Sequence, residues 1–427
     1  MLTDWIHWFS SIPSDQLLVI LLPVLLLDAV RYGLGSLLMF AYDAGRCAWC
    51  HIRQRPERPT FEHCPSICLV IAGLNEGDTI GSTLQSVWGT YPRMEIIVVD
   101  DGSNDGMAEV AQEFANEHAG VLVLRKPQRG GKSSALNFAL PFTTAELLVC
   151  VDGDSHLNPG AIWEIVQPFS DPTVGAVSGA VLARNPFVNL TTWLQASEYL
   201  HCIFLGRMFA SRLDIMGIIS GAFGAFRRDA IARLHGWDVG PGEDGDLTLR
   251  LRKARYRIVF APYAQCLTNL PTSFWRLVKQ RRRWEWAAVT FECRKHVDLG
   301  NIFSPNFRWS NLLMLLDRWL FNVALPYVLW AYAAWLVFNP KPHTINHLIF
   351  YYLVYVGMDL LQLLIVLFYS NDRRRDFLAG LVAPLSPLYY LILKAVALWA
   401  LTEELISRRS FRDGFVPEHV RRATWYW

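Results

Sequence analysis

Charge is what this sequence has little of. Asp, Glu, Lys and Arg make up only 18% of its 427 residues, and they balance to a net +2 at neutral pH. With no overall basic field to neutralise phosphates, nucleic acid is excluded as a partner. A disulfide framework is the second absence. Eight cysteines in a chain of this length do not make a small stapled secreted domain, so reduced thiols are expected. Cys47-Ala48-Trp49-Cys50-His51 matches the haem-attachment spacing. It follows an apolar stretch directly and lies among arginines that place it in the cytoplasm, whereas c-type haem is attached outside in bacteria. A zinc site built on Cys64 or Cys68 has as little behind it. No internal repeat and no low-complexity tract occurs, which excludes solenoids and long disordered linkers. A Walker A loop is also missing. Gly130-Gly131-Lys132-Ser133 has the right ending, but Lys126 stands where the first glycine belongs.

Apolar residues, by contrast, are abundant at 52%, which suits a soluble domain joined to membrane segments. Residues 1–14 carry Trp5, Ile6, Trp8 and Phe9 without a lysine or arginine, as at a bilayer surface. Gln16 to Tyr42 is long enough to span, with Asp28 and Arg31 facing protein or headgroups. A signal peptide is the alternative, but it requires a shorter apolar core and a small-residue cleavage site. Arg46, Arg53, Arg55 and Arg58 follow, so the next domain is expected in the cytoplasm. Asn311 to Phe338 and Asn346 to Ser370 are two further spans. Phe377 to Leu401 is a third apolar stretch, interrupted by Pro384 and Pro387. A plain third span would put the basic tail (Arg408, Arg409, Arg412, Arg421, Arg422) outside. Either the prolines mark a split or re-entrant segment, or the charge rule fails here. Three regions result: 1–60, an anchor and basic linker; 61–290, a soluble domain; and 291–427, interface and membrane helices with the tail.

Within the soluble region strands and helices alternate. Ser66–Ile71, Glu95–Val99, Val121–Arg125 and Leu147–Val151 read as strands. Between them, Thr79–Gly89, Met107–His118 and Ser133–Leu140 read as helices. That rhythm predicts an α/β domain with a mostly parallel sheet and right-handed crossovers. Two of the strands end in acid pairs, Asp100-Asp101 and Asp152-Gly153-Asp154. Ligands bind beyond the carboxyl ends of such strands, and hard carboxylates there suit a divalent cation with substrate phosphates. Taken singly, each pair reads equally well as a solvated turn. Lys132, opening a helix, suits a phosphate. Ser220 to Arg228 is rich in small residues, which lets backbone approach a ligand. Gly242-Glu243-Asp244-Gly245-Asp246 precedes a helical pattern, and capping accounts for Asp246. On a helix Gln280, Arg283 and Trp284 share one face. There a guanidinium can grip a diphosphate and an indole can stack on a sugar. Arg281 and Arg282 would point elsewhere, toward lipid phosphates.

The ordered set Asn75-Glu76, Asp100-Asp101-Gly102-Ser103, Gly131-Lys132, Asp152-Gly153-Asp154, Gln195 to Tyr199, Gly242-Glu243-Asp244 and Gln280 to Trp284 resembles the membrane-bound family 2 glycosyltransferases. Cellulose, chitin, hyaluronan and bacterial poly-N-acetylglucosamine synthases are such enzymes, and the layout is most similar to the last. The resemblance covers about Pro65 to Trp286. It implies a cytoplasmic GT-A domain, Rossmann-like, in a multi-pass protein of the bacterial inner membrane. Its donor would be a nucleotide-diphosphosugar, its growing glycan would leave through the lipid bilayer, and small accessory membrane or periplasmic subunits would be its partners. By that resemblance Asn75 and Glu76 bind the donor nucleotide-sugar, Asp100 or Asp101 contacts its uridine, Asp152 and Asp154 hold Mg2+ or Mn2+ with the diphosphate, and Lys132 assists. Asp244 matches the catalytic base, and Glu243, Gln280, Arg283 and Trp284 match the acceptor and diphosphate clamp. Two departures stand out: Leu74 replaces a base-stacking aromatic, and Trp286-Ala287 lacks a glycine that some relatives carry. No large domain follows the last apolar stretch, so a regulatory nucleotide-binding module is not expected.

Two other readings share these residues. One is an enzyme that adds a single sugar to a lipid, similar to ceramide glucosyltransferases. The other is a receptor or scaffold that keeps the fold without activity. Product size separates the first, and cation-dependent nucleotide release separates the second.

Overall fold

The computed structural model describes residues 31, 33–50, 61–238, 242–339 and 344–424. The surface segment 1–14, most of the first apolar stretch, and Arg53, Arg55 and Arg58 lie outside the described residues.

An eight-stranded sheet forms the centre of the soluble domain. Its strands are β1 (Ile67–Gly73), β2 (Met94–Asp100), β3 (Val121–Arg125), β4 (Leu147–Asp152), β5 (His156–Leu157), β6 (Val174–Ala183), β7 (Phe223–Arg227) and β8 (Arg257–Thr268). Their order across the sheet is β3-β2-β1-β4-β7-β6-β8-β5. The β1, β2, β3 and β4 ladders are all parallel. Every residue of β1 is buried, as expected for a strand covered by helices on both faces. The four strands and three helices read from the sequence are present, with ends shifted by two residues at most. The sheet does not stop at β4, however. β7 inserts antiparallel beside it, β6 pairs antiparallel with β7, and β6 and β8 run parallel. The β6 and β7 segments are interrupted by alanine and glycine and lack the continuous branched runs that mark β1, β2 and β4.

Register brings the chemistry to one edge. Gly73 stands opposite Asp100, Asp100 opposite Arg125, and Ala72 opposite Asp152. All these residues close parallel strands, so the turns that follow them share one rim. Because β7 is antiparallel, with Phe223 opposite Val151, its start reaches that rim too. Ser220-Gly221-Ala222 thereby arrives beside Asp152.

Three helical stretches among the described residues are long and apolar enough to cross a membrane: Trp309–Phe338, Leu348–Tyr369 and Arg373–Ser407. The third resolves the difficulty of the basic tail. It is split into a helix Arg373–Gly380, a turn Ala383–Leu385 and a helix Ser386–Ser407. Pro387 falls in the first turn of the last helix, where a missing N–H costs nothing. That helix meets the soluble domain near both ends. Tyr389 donates to Glu198 Oε2 at 2.7 Å, while Glu403 and Glu404 pair with Arg282 and Arg294 at 2.6 Å each. The tail therefore lies against the soluble domain.

Candidate active site

The site begins where β1 ends. Glu76 opens the helix Gly77–Val87 and tucks its carboxylate beneath Gly153. A β-carbon at Gly153 would lie 1.9 Å from Glu76 Oε2, so any side chain there would push the Glu76 carboxylate out of its place. Glu76 Oε2 is buried and accepts no hydrogen bond among the described residues. Burial, with Asp152 and Asp154 nearby, pushes its carboxyl up to about 8. Burial and the Asp152 charge likewise push Asp154 up to about 6, which Lys132 only partly offsets. Three carboxyls crowded this way favour a cation among them.

Among the described residues no group of three or more His, Cys, Asp or Glu side chains is placed to hold a metal ion by itself. A divalent ion held by one or two carboxylates and donor phosphates does not need one. The unpartnered Glu76 oxygen and the raised Asp154 fit such an ion.

Lys132 starts the helix Lys132–Ala139 and links the acids to the opposite wall. Its ammonium pairs with Asp152, donates to the Gly221 carbonyl at 2.9 Å and lies 4.0 Å from Glu243. Burial alone would lower it, but Asp152 and Glu243 outweigh that and hold it above its ordinary value.

On that wall Glu243 and Asp244 open the helix Glu243–Lys253. Gly221 N–H donates to Asp244 Oδ2 at 3.1 Å, and Gly245 N–H donates to Oδ1 at 2.8 Å. Burial raises Asp244, with Lys132 opposing, while burial and Asp244 push Glu243 up to about 7. A side chain at Gly221 would crowd both Asp244 and Lys132, at 3.2 and 3.3 Å. Asp246 has another role than the capping expected of it. Gly242 is the cap residue, and no side chain caps the helix. Asp246 is buried and bound by Arg250, Lys295 and His296 at 2.8 Å each. These partners hold its carboxyl well below the usual range despite burial.

Asp100 and Asp101 stand one strand further along. Asp101 accepts from Gly130 and Gly131 N–H at 2.9 and 2.6 Å and pairs with Lys126, so it fixes the glycine loop before Lys132. Asp100 accepts from Ser103 N–H at 2.7 Å and faces Arg125 at 3.3 Å. Asn75 has a positive φ of 57° and accepts from Asn104 N–H at 3.0 Å, which ties the first turn to the second.

Gln280, Arg283 and Trp284 lie on the helix Phe274–Ala288. Arg281 and Arg282 do not turn to lipid phosphates. Arg281 is buried and paired with Glu198 at 2.8 Å, and Arg282 pairs with Glu403 and stacks 3.9 Å from the Trp399 ring. The helix crosses between the soluble domain and the last apolar helix, so two of its arginines are consumed in joining them. Trp284 remains 43% exposed, and Gln280 Oε1 is buried without a partner among the described residues.

Two groups escaped the sequence reading. The first is the tail after Arg408. Asp413 accepts from Arg283 Nε at 3.1 Å, and the Phe415 ring lies 3.7 Å from that guanidinium. Arg129 donates to the Phe415 carbonyl at 2.6 Å. Phe415 and Val416 then form one small cleft with Gly130 to Ser133 and Glu243. The tail thus joins Arg283 to the Lys132 loop, and Asp413-Gly414 was its only turn signal. The second is Arg207, which donates to Ser178 Oγ at 3.3 Å, an oxygen that also receives Ser220 N–H at 3.0 Å. The Ser220-Gly221 backbone that holds Asp244 is fastened there.

The profile described as "Glycosyltransferase like family 2" matches residues 65–287, more than half of the chain. The chain belongs to this family. The family 2 member is 27% identical over 357 residues to a poly-beta-1,6-N-acetyl-D-glucosamine synthase of Staphylococcus epidermidis, covering 80% of this chain and 84% of that one. A Staphylococcus aureus enzyme of the same description is 31% identical over 221 residues, 51% of this chain and 53% of its own. Among solved structures, the mannosyltransferase PcManGT of Pyrobaculum calidifontis, in complex with GDP-Man and Mn2+, superposes with a TM-score of 0.58 at 20% identity. The match covers 90% of this chain and 99% of that one. At that identity the likeness concerns the fold, which is GT-A. The family 2 motifs thus sit on a GT-A sheet, as the sequence resemblance implied.

Proposed function

We propose that this glycosyltransferase transfers a sugar, with inversion, from a nucleotide-diphosphosugar to a growing β-linked polysaccharide and passes the product across the bacterial inner membrane. The supporting observation is the convergence of Glu76, Asp152 and Asp154 with Asp244 across the single ammonium of Lys132. The descriptions of the staphylococcal relatives make UDP-N-acetylglucosamine the first donor to test.

In this reading the nucleoside lies along the Asn75, Asp100 and Asp101 turns. Asp152 and Asp154 would hold Mg2+ or Mn2+, which when bound supplies positive charge to the departing diphosphate. Lys132 and Arg283 add fixed cations aimed at the same charge. Asp244 takes the proton of the acceptor hydroxyl as that oxygen attacks the anomeric carbon from the face opposite the diphosphate. Glu243, Gln280 and Trp284 hold the acceptor, the indole stacking on a sugar face. The soluble domain lies on the cytoplasmic side, where nucleotide sugars are made, and the apolar helices wall the exit.

The deciding experiment incubates membranes bearing the protein with labelled nucleotide sugars and Mg2+ or Mn2+, then sizes the product. A long glycan is expected. A single-sugar lipid would replace the polymer reading, and failure to release nucleotide from any donor would remove the enzyme.

Asp413 holds Nε of Arg283 and offsets part of its charge, so a diphosphate that uses this guanidinium competes with the tail. Asp413→Ala is expected to tighten nucleotide-diphosphate binding by about threefold to tenfold, the scale of one partly exposed charged hydrogen bond. Calorimetric titration of UDP reads it directly, and weaker binding in the variant would separate Arg283 from the diphosphate.

Asp154 gives the reaction a pH signature. Its carboxyl, raised to about 6, is protonated below that value and ionised above it. Divalent-ion affinity is therefore expected to fall as pH drops through about 6, because the ligand must lose its proton to bind. Mn2+ titrations from about pH 5 to about pH 8 test this. An affinity independent of pH would put the ion elsewhere.

A further inference from the structure

Of the motifs shared with the family, Gln195 to Tyr199 has no part in the proposed transfer steps. It ends the helix Leu190–Glu198 and is buried at every residue. Buried polar groups require partners, and these lie around the helix Phe274–Ala288. Asn189 and Gln195 donate to the Thr272 and Pro271 carbonyls at 2.8 and 2.9 Å, just before that helix begins. Two turns further on, Arg281 donates to Glu198 Oε2 at 2.8 Å. The same oxygen accepts from the Tyr389 hydroxyl, on the helix Ser386–Ser407, at 2.7 Å. The Arg281 guanidinium in turn lies over the Trp284 ring, 4.1 Å from its centroid. Residues three apart on a helix are neighbours, so the stacking needs no distortion, and a cation at that distance is attracted to the indole face. With one face covered and 43% of its surface still exposed, the indole offers a sugar its other face.

Granted that Trp284 holds the acceptor, we propose that Glu198 and Arg281 are positioning residues for it. Anchored by Tyr389, they fix the Trp284 indole so that the terminal sugar of the glycan stacks on its one open face. An unrestrained indole samples several rotamers, and a sugar stacked on it would move with it relative to Asp244. The guanidinium restrains the ring because it is itself restrained: its charge is met by a buried carboxylate 83 positions away in sequence. The Tyr389 hydroxyl ties that carboxylate to the last apolar helix, so the soluble domain and the membrane part set the seat of the acceptor together.

The test places the full-length protein in nanodiscs with labelled UDP-N-acetylglucosamine and Mg2+, and reads glycan length at early times with donor in excess. Length is a property of each folded molecule, so misfolding lowers the yield and leaves length alone. Removing one member of a buried ion pair is strongly destabilising. The pair is therefore replaced together by apolar side chains, in Glu198→Leu/Arg281→Met. Tyr389→Phe, which loses only a hydroxyl, is the milder second variant. The double variant should make glycans about threefold to tenfold shorter, the scale of one cation–ring contact, with the donor KM unchanged. Tyr389→Phe should shorten them by a smaller factor, and Trp284→Ala at least as much as the double variant. Parental length in either network variant, with Trp284→Ala short, would overturn the positioning role alone. A donor KM that rises as length falls would also overturn it, by placing the pair in donor binding. No polymer from the parent, or parental length in Trp284→Ala, would remove the acceptor role of Trp284, and the positioning role would fall with it.

Discussion

Asp244→Asn is expected to leave donor binding intact and to lower polymer formation by about 10²–10⁴-fold, the usual worth of general-base help. The substitution keeps the shape of the side chain. Its carbonyl oxygen can still accept from Gly221 or Gly245, the two N–H groups that position the carboxylate. Lost is the ability to take a proton, together with one negative charge from a crowded wall. Glu243 beside it is raised to about 7 partly by the Asp244 charge, so the neighbouring acid should ionise more easily in the variant. Retained nucleotide binding with lost turnover assigns Asp244 to the chemical step; near-normal turnover removes it from the role of base. Asp246→Asn is the natural control. Two residues away, Asp246 is clamped by three basic side chains and turned from the cleft. Its loss should appear in stability, not in the pH dependence of turnover.

How far the sequence could be read follows from which interactions are local. The strands β1, β2 and β4 announce themselves because each is a continuous apolar run bounded by turn residues. The acids at their ends could be read as one rim because parallel strands put their carboxyl ends on the same side. β7 and β6 were missed, since pairing with neighbours and not intrinsic preference makes strands of Phe223–Arg227 and Val174–Ala183. The same limit applies to the arginines. Spacing on a helix put Arg283 on the Trp284 face, but nothing near Arg281 in sequence reveals Glu198, 83 positions away, as its partner. Asp413 and Arg283 are 130 positions apart. A basic tail reads as surface until the fold shows what it touches.

Arg252→Ala is expected to destabilise the protein by about 3–5 kcal/mol, the cost of breaking a buried charged network by removing one member. Arg252 has no exposed surface. Its guanidinium donates to Asn311 Oδ1 at 2.8 Å, to the Met216 carbonyl at 3.2 Å and to the Asp214 carbonyl at 2.7 Å. It also reaches Ser310 Oγ at 3.2 Å and lies 3.5 Å from the Asp214 carboxylate. Through these contacts the helix carrying Asp244 is bound to the first turns of the Trp309–Arg318 helix, at the root of an apolar span. Alanine would leave those acceptors buried without donors, beside a void the size of the lost side chain. Against a total stability of about 5–15 kcal/mol that is a large fraction. The melting temperature in detergent should drop by many degrees, and Arg252→Lys should recover little, since one ammonium cannot reproduce a planar fork of donors. Arg257, paired with Asp171 where both are largely exposed, supplies the contrast. Its alanine variant should melt with the parent, because solvent screens that pair. If Arg252→Ala also melts with the parent, the helix carrying Asp244 is not held by the Trp309–Arg318 helix.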